Sequence, residues 1–486
     1  MTYKNYLIKL NNMKKVFFLP ISLLIPIIFI FAQWTEPVKI WKYGVAYFQP
    51  NASHLFVKDT LGNLHLGWYD TSKDVYFCIR KQRYDGNQWF YDGTAYDQPE
   101  NGSGYYRLSW MPTLSIDEDG RFLFLWESRQ DGNFNIMGRY YDGSLLSSVF
   151  QVSFTSSYSW FPKSFYRNSK HHFIYSDDST GVFNIYYGYF DSLVHTPSNI
   201  TNSDENCLNY DFYVYPNEDI SIIYTKNRNG YQNLYNKRRI SNVWQNENLI
   251  FSFYSDVYYP NIISDGEKEF AVFTLISNGL SQLYLSKYLN GVWSTPKLLS
   301  DGNYNIYYPT GVILNDKLHL FYVSDSYFYG ELFDLVYDIQ KETVDSIKLI
   351  AHHDTSFIVT PQCIVDDNQN IHLVYILNDK TPPPDSGDSP NDIYWTYLQN
   401  SKKNDGKKDN KKPYSLIKYQ SKLVFDFINS DSYYLSIYDV SGKTVGSFSC
   451  SSKRFTLDYS KFKSGIYFIT VKEGDKRWKE KIFNIK

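Results

Sequence analysis

The chain has 486 residues, 19% of them aromatic, with 49 Lys and Arg against 51 Asp and Glu and a formal net charge of −2. This balance excludes a globally basic nucleic-acid binder, which needs concentrated Lys and Arg to meet phosphates. The aromatic content excludes a disordered chain and favours strands, and four Cys are too few for a disulfide scaffold.

Lys4, Lys9, Lys14 and Lys15 precede the apolar run Val16 to Ala32, and no acid occurs before Glu36. A basic segment, an apolar stretch and a small residue at its end predict a secretory signal peptide over residues 1–32. Met13 offers an alternative start. The competing reading is a retained anchor, but the run is 17 residues long and carries Pro20 and Pro26, at the lower limit for a membrane span. Membrane passage is therefore expected to be transient. Export permits disulfides, yet Cys78, Cys207, Cys363 and Cys450 are far apart and allow three pairings. Free, buried thiols are expected.

From there the sequence repeats. Short apolar runs end in an aromatic anchor at Trp68, Trp126, Tyr175, Tyr224, Phe273, Tyr322 and Tyr375, with spacings of 58, 49, 49, 49, 49 and 53. Each unit has one grammar. A Pro stands 13 or 14 residues before the anchor, at Pro112, Pro162, Pro260, Pro309 and Pro361. An apolar strand follows, then an Asp- or Gly-rich turn, which tolerates positive φ. After the anchor strand a second turn leads to a third strand, starting at Asn135, Asn184, Asn233 and Gln282. A fourth strand appears around Trp244 and Trp293. Four antiparallel strands per unit of about 50 residues predict a propeller blade, and seven units predict seven blades. The seventh unit lacks a fourth strand, while Trp34-Thr-Glu-Pro-Val-Lys-Ile has that strand's pattern. Residues 34–41 are thus expected to close the last blade, which removes the open edges of a solenoid.

In these features the chain resembles the secreted sialidase-like (BNR-type) propellers, whose units read strand, Asp/Gly turn, hydrophobic strand ending in Trp or Tyr, then a Gly-Asn-Ile-Tyr-like strand. Ser115-Ile-Asp117-Glu-Asp-Gly120 is close to their Asp-box with one extra residue. Such propellers serve as sialidases, lyases and lectins, so the resemblance implies a fold and leaves the function open.

Residues 400–413 are polar and Lys-rich, the composition of a solvated linker. Beyond them, residues 414–486 alternate as strands and predict a small β-sandwich. Leu435-Ser-Ile-Tyr-Asp-Val-Ser-Gly-Lys443-Thr-Val, Ser464-Gly-Ile-Tyr-Phe-Ile and the final Lys481-Ile-Phe-Asn-Ile-Lys486 resemble the type IX secretion C-terminal sorting domain. The resemblance implies handling by the type IX machinery and a place outside the cell or on its surface. The family's Tyr-Pro-Asn-Pro-like opening is replaced by Lys412-Pro413-Tyr414-Ser415.

The residues name no reaction. Of nine His, four (His65, His172, His319, His372) stand three residues before an anchor, and a residue that recurs at one blade position serves the blade. No zinc spacing, phosphate loop or nucleophile elbow occurs, and the sialidase Phe/Tyr-Arg-Ile-Pro motif is absent. No catalytic, metal-binding or cofactor-binding residue is named. The Asp117/Asp119 turn admits calcium as the one cofactor. The sharper signal is aromatic: Trp110, Trp160, Tyr258, Tyr259, Tyr307 and Tyr308 stand just before the unit-opening Pro. In a propeller these positions ring one mouth of the channel, where aromatic faces suit sugars, although packing between blades is the competing role. The Pro-rich loop 380–390 is expected to overhang one face. The chain therefore reads as all-β: a seven-bladed β-propeller over residues 33–399 and a C-terminal β-sandwich. Its expected role is binding a glycan or protein partner outside the cell, with no nucleic acid. The alternatives are a sialidase-like hydrolase or lyase and a structural surface component.

Overall fold

The computed structural model describes residues 34–399 apart from 42–45, 48–53, 74–75, 97–108, 131–132, 143–145, 326–329, 354–355 and 380–390. It also describes residues 414–484 apart from 420–421, 428–431, 440–442, 453, 459–461, 464 and 474–475. The expected signal segment, the Lys-rich linker and the Pro-rich loop lie outside the described residues. The chain divides into two compact units, up to Ser401 and from Lys402.

The first unit is a seven-bladed β-propeller. Its seven sheets each have a meander of four antiparallel strands. Blade three shows the plan: inner strand Ser159–Arg167, second strand Lys170–Asp177, third strand Asn184–Phe190 and a short outer strand Ser198–Asn199. All seven anchors sit buried on the second strands. In five blades the anchor lies directly opposite an aromatic on the third strand: Tyr175 to Tyr186, Tyr224 to Tyr235, Phe273 to Tyr284, Tyr322 to Phe333 and Tyr375 to Tyr394. These rings are nearly parallel, 5.4–6.0 Å apart. Cross-strand aromatic pairs of this kind fix register within a sheet. Each is worth about 0.5–1.5 kcal/mol beyond its burial.

The repeated histidines are buried and bonded within their blades. His65 meets Asp59 at 3.0 Å, His172 the Tyr187 hydroxyl at 2.8 Å, His319 Asp334 at 3.1 Å and His372 Asp366 at 3.1 Å. In blade seven the inner strand Ser356–Val365 is followed by Ile371–Asp379 and Asn391–Leu398, and its outer strand is Val38–Trp41 from the start of the described chain. Trp34 forms a further bridge to Leu398, and Thr35 exchanges hydrogen bonds with Thr396 and Tyr397. The two-part outer strand matches blade four, where Val243–Trp244 and Asn248–Phe251 both pair with the third strand.

The second unit is a β-sandwich of a three-stranded and a four-stranded sheet. Alternate residues of both sheets, including Leu423, Phe425, Leu435, Ile437, Leu457 and Ile469, form its core. The Asp439 carboxylate accepts the Lys443 amide at 3.0 Å. Cys207, Cys363 and Cys450 are free.

Candidate functional site

The inner strands all run the same way through the ring, so the propeller has two distinct mouths. At the upper mouth the chain feeds into each inner strand; at the lower mouth it turns into the second strand. Six inner strands are interrupted just inside the upper mouth by a bulge at one equivalent position. The pairing register slips between Trp110 and Thr113, Trp160 and Lys163, Leu208 and Asp211, Tyr258 and Asn261, Tyr307 and Thr310, and Val359 and Gln362. Inside each bulge one non-glycine residue is left-handed: Met111, Phe161, Asn209, Tyr259, Tyr308 and Thr360, with φ between 45° and 56°. A bulge bends the strand and re-aims its side chains. A left-handed aromatic costs about 1–3 kcal/mol and persists where its surroundings hold it.

The sequence-predicted aromatics divide between packing and display. Tyr258, Tyr259, Tyr308 and Tyr307 form one arc across blades five and six. Tyr259 and Tyr308 touch across the seam at 4.8 Å, and each packs on its neighbour in its own strand. The arc is half-buried and ends in acids: the Tyr307 hydroxyl donates to Asp325 at 3.1 Å and that of Tyr258 to Asp256 at 3.4 Å. Burial, with Asp325 adding to it, pushes the Tyr307 phenol up to about 12. Trp160 is half-buried and lies away from this arc, stacked on Phe183 at 4.9 Å and beside Phe134 and Tyr158. Trp110 lies in the inner strand of blade two, Ser109–Ile116; its side chain is outside the described residues.

The loops feeding the inner strands carry aromatics that the sequence reading passed over. Phe154 and Tyr158 before blade three, Tyr254 before blade five and Tyr304 before blade six are 68%, 40%, 87% and 41% exposed. In the lower turns the exposed large apolar residues are aliphatic, among them Leu61, Leu193, Val243 and Val292, while Phe251 on the outer strand of blade four is 39% exposed. The loop aromatics escaped notice because they hold no repeated position. The available signal was an aromatic in a polar loop, with no strand pattern to require its burial.

Beneath the bulges lies a belt of buried polar side chains. Thr113 accepts the Ser164 amide at 3.0 Å, Asp211 the Ile262 amide at 2.9 Å and Gln362 the Leu55 amide at 3.4 Å, each from one blade to the next. Two charges join this belt: Lys163 of blade three reaches Asp211 of blade four at 3.2 Å, both almost wholly buried. His54 of blade one extends toward the same carboxylate, its Nε2 3.6 Å away. Burial pulls Lys163 and His54 below their ordinary ranges, against the pull of Asp211. A further buried acid, Glu127, lies on the second strand of blade two. Its Oε1 accepts the amide of the bulge residue Phe161 at 2.6 Å. Burial pushes this carboxyl up to about 8, so it keeps its proton at neutral pH. In the lower turn, Asp117 spends its oxygens on the amides of Asp119 and Arg121 and on the Arg121 side chain. Among the described residues no cluster of three or more His, Cys, Asp or Glu is placed to hold a metal ion.

Residues 419–486 match the family described as secretion system C-terminal sorting domain. The protein is secreted, to the cell surface or beyond it. A comparison with curated protein sequences gives no match. Among solved structures, the chain is similar to an ulvan lyase of a new polysaccharide lyase family, solved bound to -[GlcA(1-4)Rha3S]-, at 10% identity with a TM-score of 0.53. The match covers 74% of this chain and 95% of that one. The structure of the ulvan lyase described without that ligand aligns over the same shares at 10% identity and a TM-score of 0.50. The polysaccharide lyase Uly1 aligns at 11% identity over 74% of this chain and 93% of that one, with a TM-score of 0.46. At these identities the likeness is one of fold.

Proposed function

We propose that this protein is an exported glycan-binding propeller whose upper face grips a carbohydrate chain. The observation that carries the reading is a set of exposed aromatics, Phe154, Tyr158, Tyr254 and Tyr304, in the loops that feed the inner strands of blades three, five and six, on the side of the ring that also holds the tyrosine arc. Flat aromatic faces beside carboxylates and hydroxyls suit a sugar, which offers apolar C–H faces rimmed by hydroxyls. The sialidase-like grammar of the repeat and the fold shared with a polysaccharide lyase agree with a carbohydrate ligand. Secretion places the site where polymeric glycans are met.

The test is retention of a mixed polysaccharide library by the full chain, read by mass spectrometry. Tyr254→Ala and Tyr158→Ala are expected to weaken retention about ten-fold each, in line with the loss of one stacking contact of about 1–1.5 kcal/mol. Leu61→Ala, on the lower face, is expected to leave it unchanged. Equal retention by all three variants would remove the glycan reading and leave a protein partner or a structural role.

One observation favours a second reading, a lyase or glycoside hydrolase. Glu127 is an uncharged carboxyl just beneath the upper mouth, and a carboxyl protonated at neutral pH is a proton donor suited to glycosidic cleavage. Shortened chains in the same spectra, lost in Glu127→Gln, would establish this reading instead.

A further inference from the structure

Below the polar belt lies a funnel of about 920 Å³ lined from His54 down to the lower turns. All seven blades contribute to it. Its lining mixes apolar and polar groups, and Ile116, Phe165, Phe212, Ile263, Val312 and Ile364 supply apolar lining from six of them. The His54 ring forms the floor, packed 5.4 Å from Phe165 and 5.5 Å from Phe212. The volume is that of a small-ligand site, and it lies at the opposite end of the channel from the aromatic mouth.

The charges around the funnel are mostly spoken for. At the rim, Glu118 accepts from the Tyr166 hydroxyl at 2.8 Å, and Asp367 pairs with Lys58 at 2.7 Å. Asp117 pairs with Arg121 at 2.6 Å, and Asp59 with His65 at 3.0 Å. Arg167 differs. Its guanidinium lies over the Phe165 ring at 5.5 Å and interacts with the Tyr213 hydroxyl, its Nε is buried without a hydrogen-bond partner, and among the described residues it forms no ion pair with a carboxylate. The His54 Nε2 on the floor is directed at Asp211, 3.6 Å away. A buried donor left unmet is costly, and a guanidinium edge matches a planar or tetrahedral oxyanion in two parallel bonds.

We infer that the axial funnel is a second ligand site, one that takes a small amphipathic anion whose acyl or aryl body fills the Ile, Val and Phe walls while its carboxylate or sulfonate pairs with Arg167. The site lies at the opposite end of the channel from the upper mouth and stands independently of the glycan reading.

The experiment titrates the purified full chain with anilinonaphthalene sulfonate and, in parallel, with the uncharged phenylnaphthylamine, both followed by fluorescence, with octanoate as competitor. A single saturable site displaced by octanoate is expected. Arg167→Gln is expected to weaken the sulfonate by about ten-fold or more, the value of a charge-assisted hydrogen bond, and to leave the neutral probe unchanged. Arg167→Lys keeps the charge without the fork and is expected to fall between. Val312→Trp, which fills the funnel, is expected to abolish both probes, while Tyr254→Ala changes neither. Thermal melts confirm that each variant is folded. Failure of the sulfonate to bind, or equal binding by folded Arg167→Gln, overturns the inference.

Discussion

Glu127 follows the anchor Trp126, at the position where blades three, four and five carry Ser176, Thr225 and Thr274. An acid thus replaces a hydroxyl at a buried site, and its pKa becomes a statement about stability. The unfolded chain releases this proton near pH 4.5, whereas the folded protein holds it to about 8. Between those values the native state binds more protons, so stability falls as pH rises, by about 5 kcal/mol in all. Glu127→Gln keeps an oxygen for the Phe161 amide and removes the proton. His171 and His172 act the other way. Burial holds them neutral down to about 3 and about 4, so they cost stability as pH falls below 6.5 in wild type and variant alike. The difference between the two proteins therefore isolates Glu127. Denaturation midpoints measured from pH 5 to 8 should fall for the wild type relative to Glu127→Gln. Parallel curves would show that the carboxyl is ionised in the fold.

The inner strand is where sequence and structure part company. Its turns, its apolar alternation and the Pro within it are local features, and they made seven units legible from spacing alone. The polar belt was legible only as scattered residues: Thr113, Lys163, Asp211 and Gln362 meet because the ring places equivalent positions side by side. The bulge left no trace of its own, since Tyr259 and Phe161 are not residue types that prefer positive φ; neighbouring blades, and not propensity, hold them there. Blade four carries Asn209 at this position with φ 45°, and Asn tolerates that region. This difference allows a direct test. Tyr259→Asn relieves backbone strain and loses the ring contact with Tyr308, two effects of about 1 kcal/mol each and opposite sign. Urea denaturation should show stability unchanged to within about 1 kcal/mol, while glycan retention falls. A loss of several kcal/mol would mean that the tyrosine arc is a packing element, and the upper mouth would then rest on its loop aromatics alone.

A propeller has no single core; its clusters form a ring of seams, and the ring is only as cooperative as its closure. Here closure joins residues more than 350 apart in sequence: Val38 pairs with Trp395, and the Thr35 hydroxyl accepts the Tyr397 amide. Trp34 extends the clasp to the next blade, donating its indole N–H to Asp334 at 3.1 Å and standing edge-on to Phe321 at 5.5 Å. The same carboxylate meets His319, so the clasp ties blades six and seven through one buried acid. An open array of repeats unfolds by parts, because each unit contacts only its neighbours, whereas a closed ring must break a seam before any blade is freed. Trp34→Ala removes both the indole hydrogen bond and its packing, a cost of about 3 kcal/mol. If closure sets cooperativity, the amides of Val38–Trp41 and Asn391–Leu398 should exchange hydrogen by global unfolding in the wild type. In Trp34→Ala they should exchange through a separate opening of lower free energy, with those of blades three to five less affected. Uniform acceleration across all blades would place the weak point of the ring elsewhere than at this clasp.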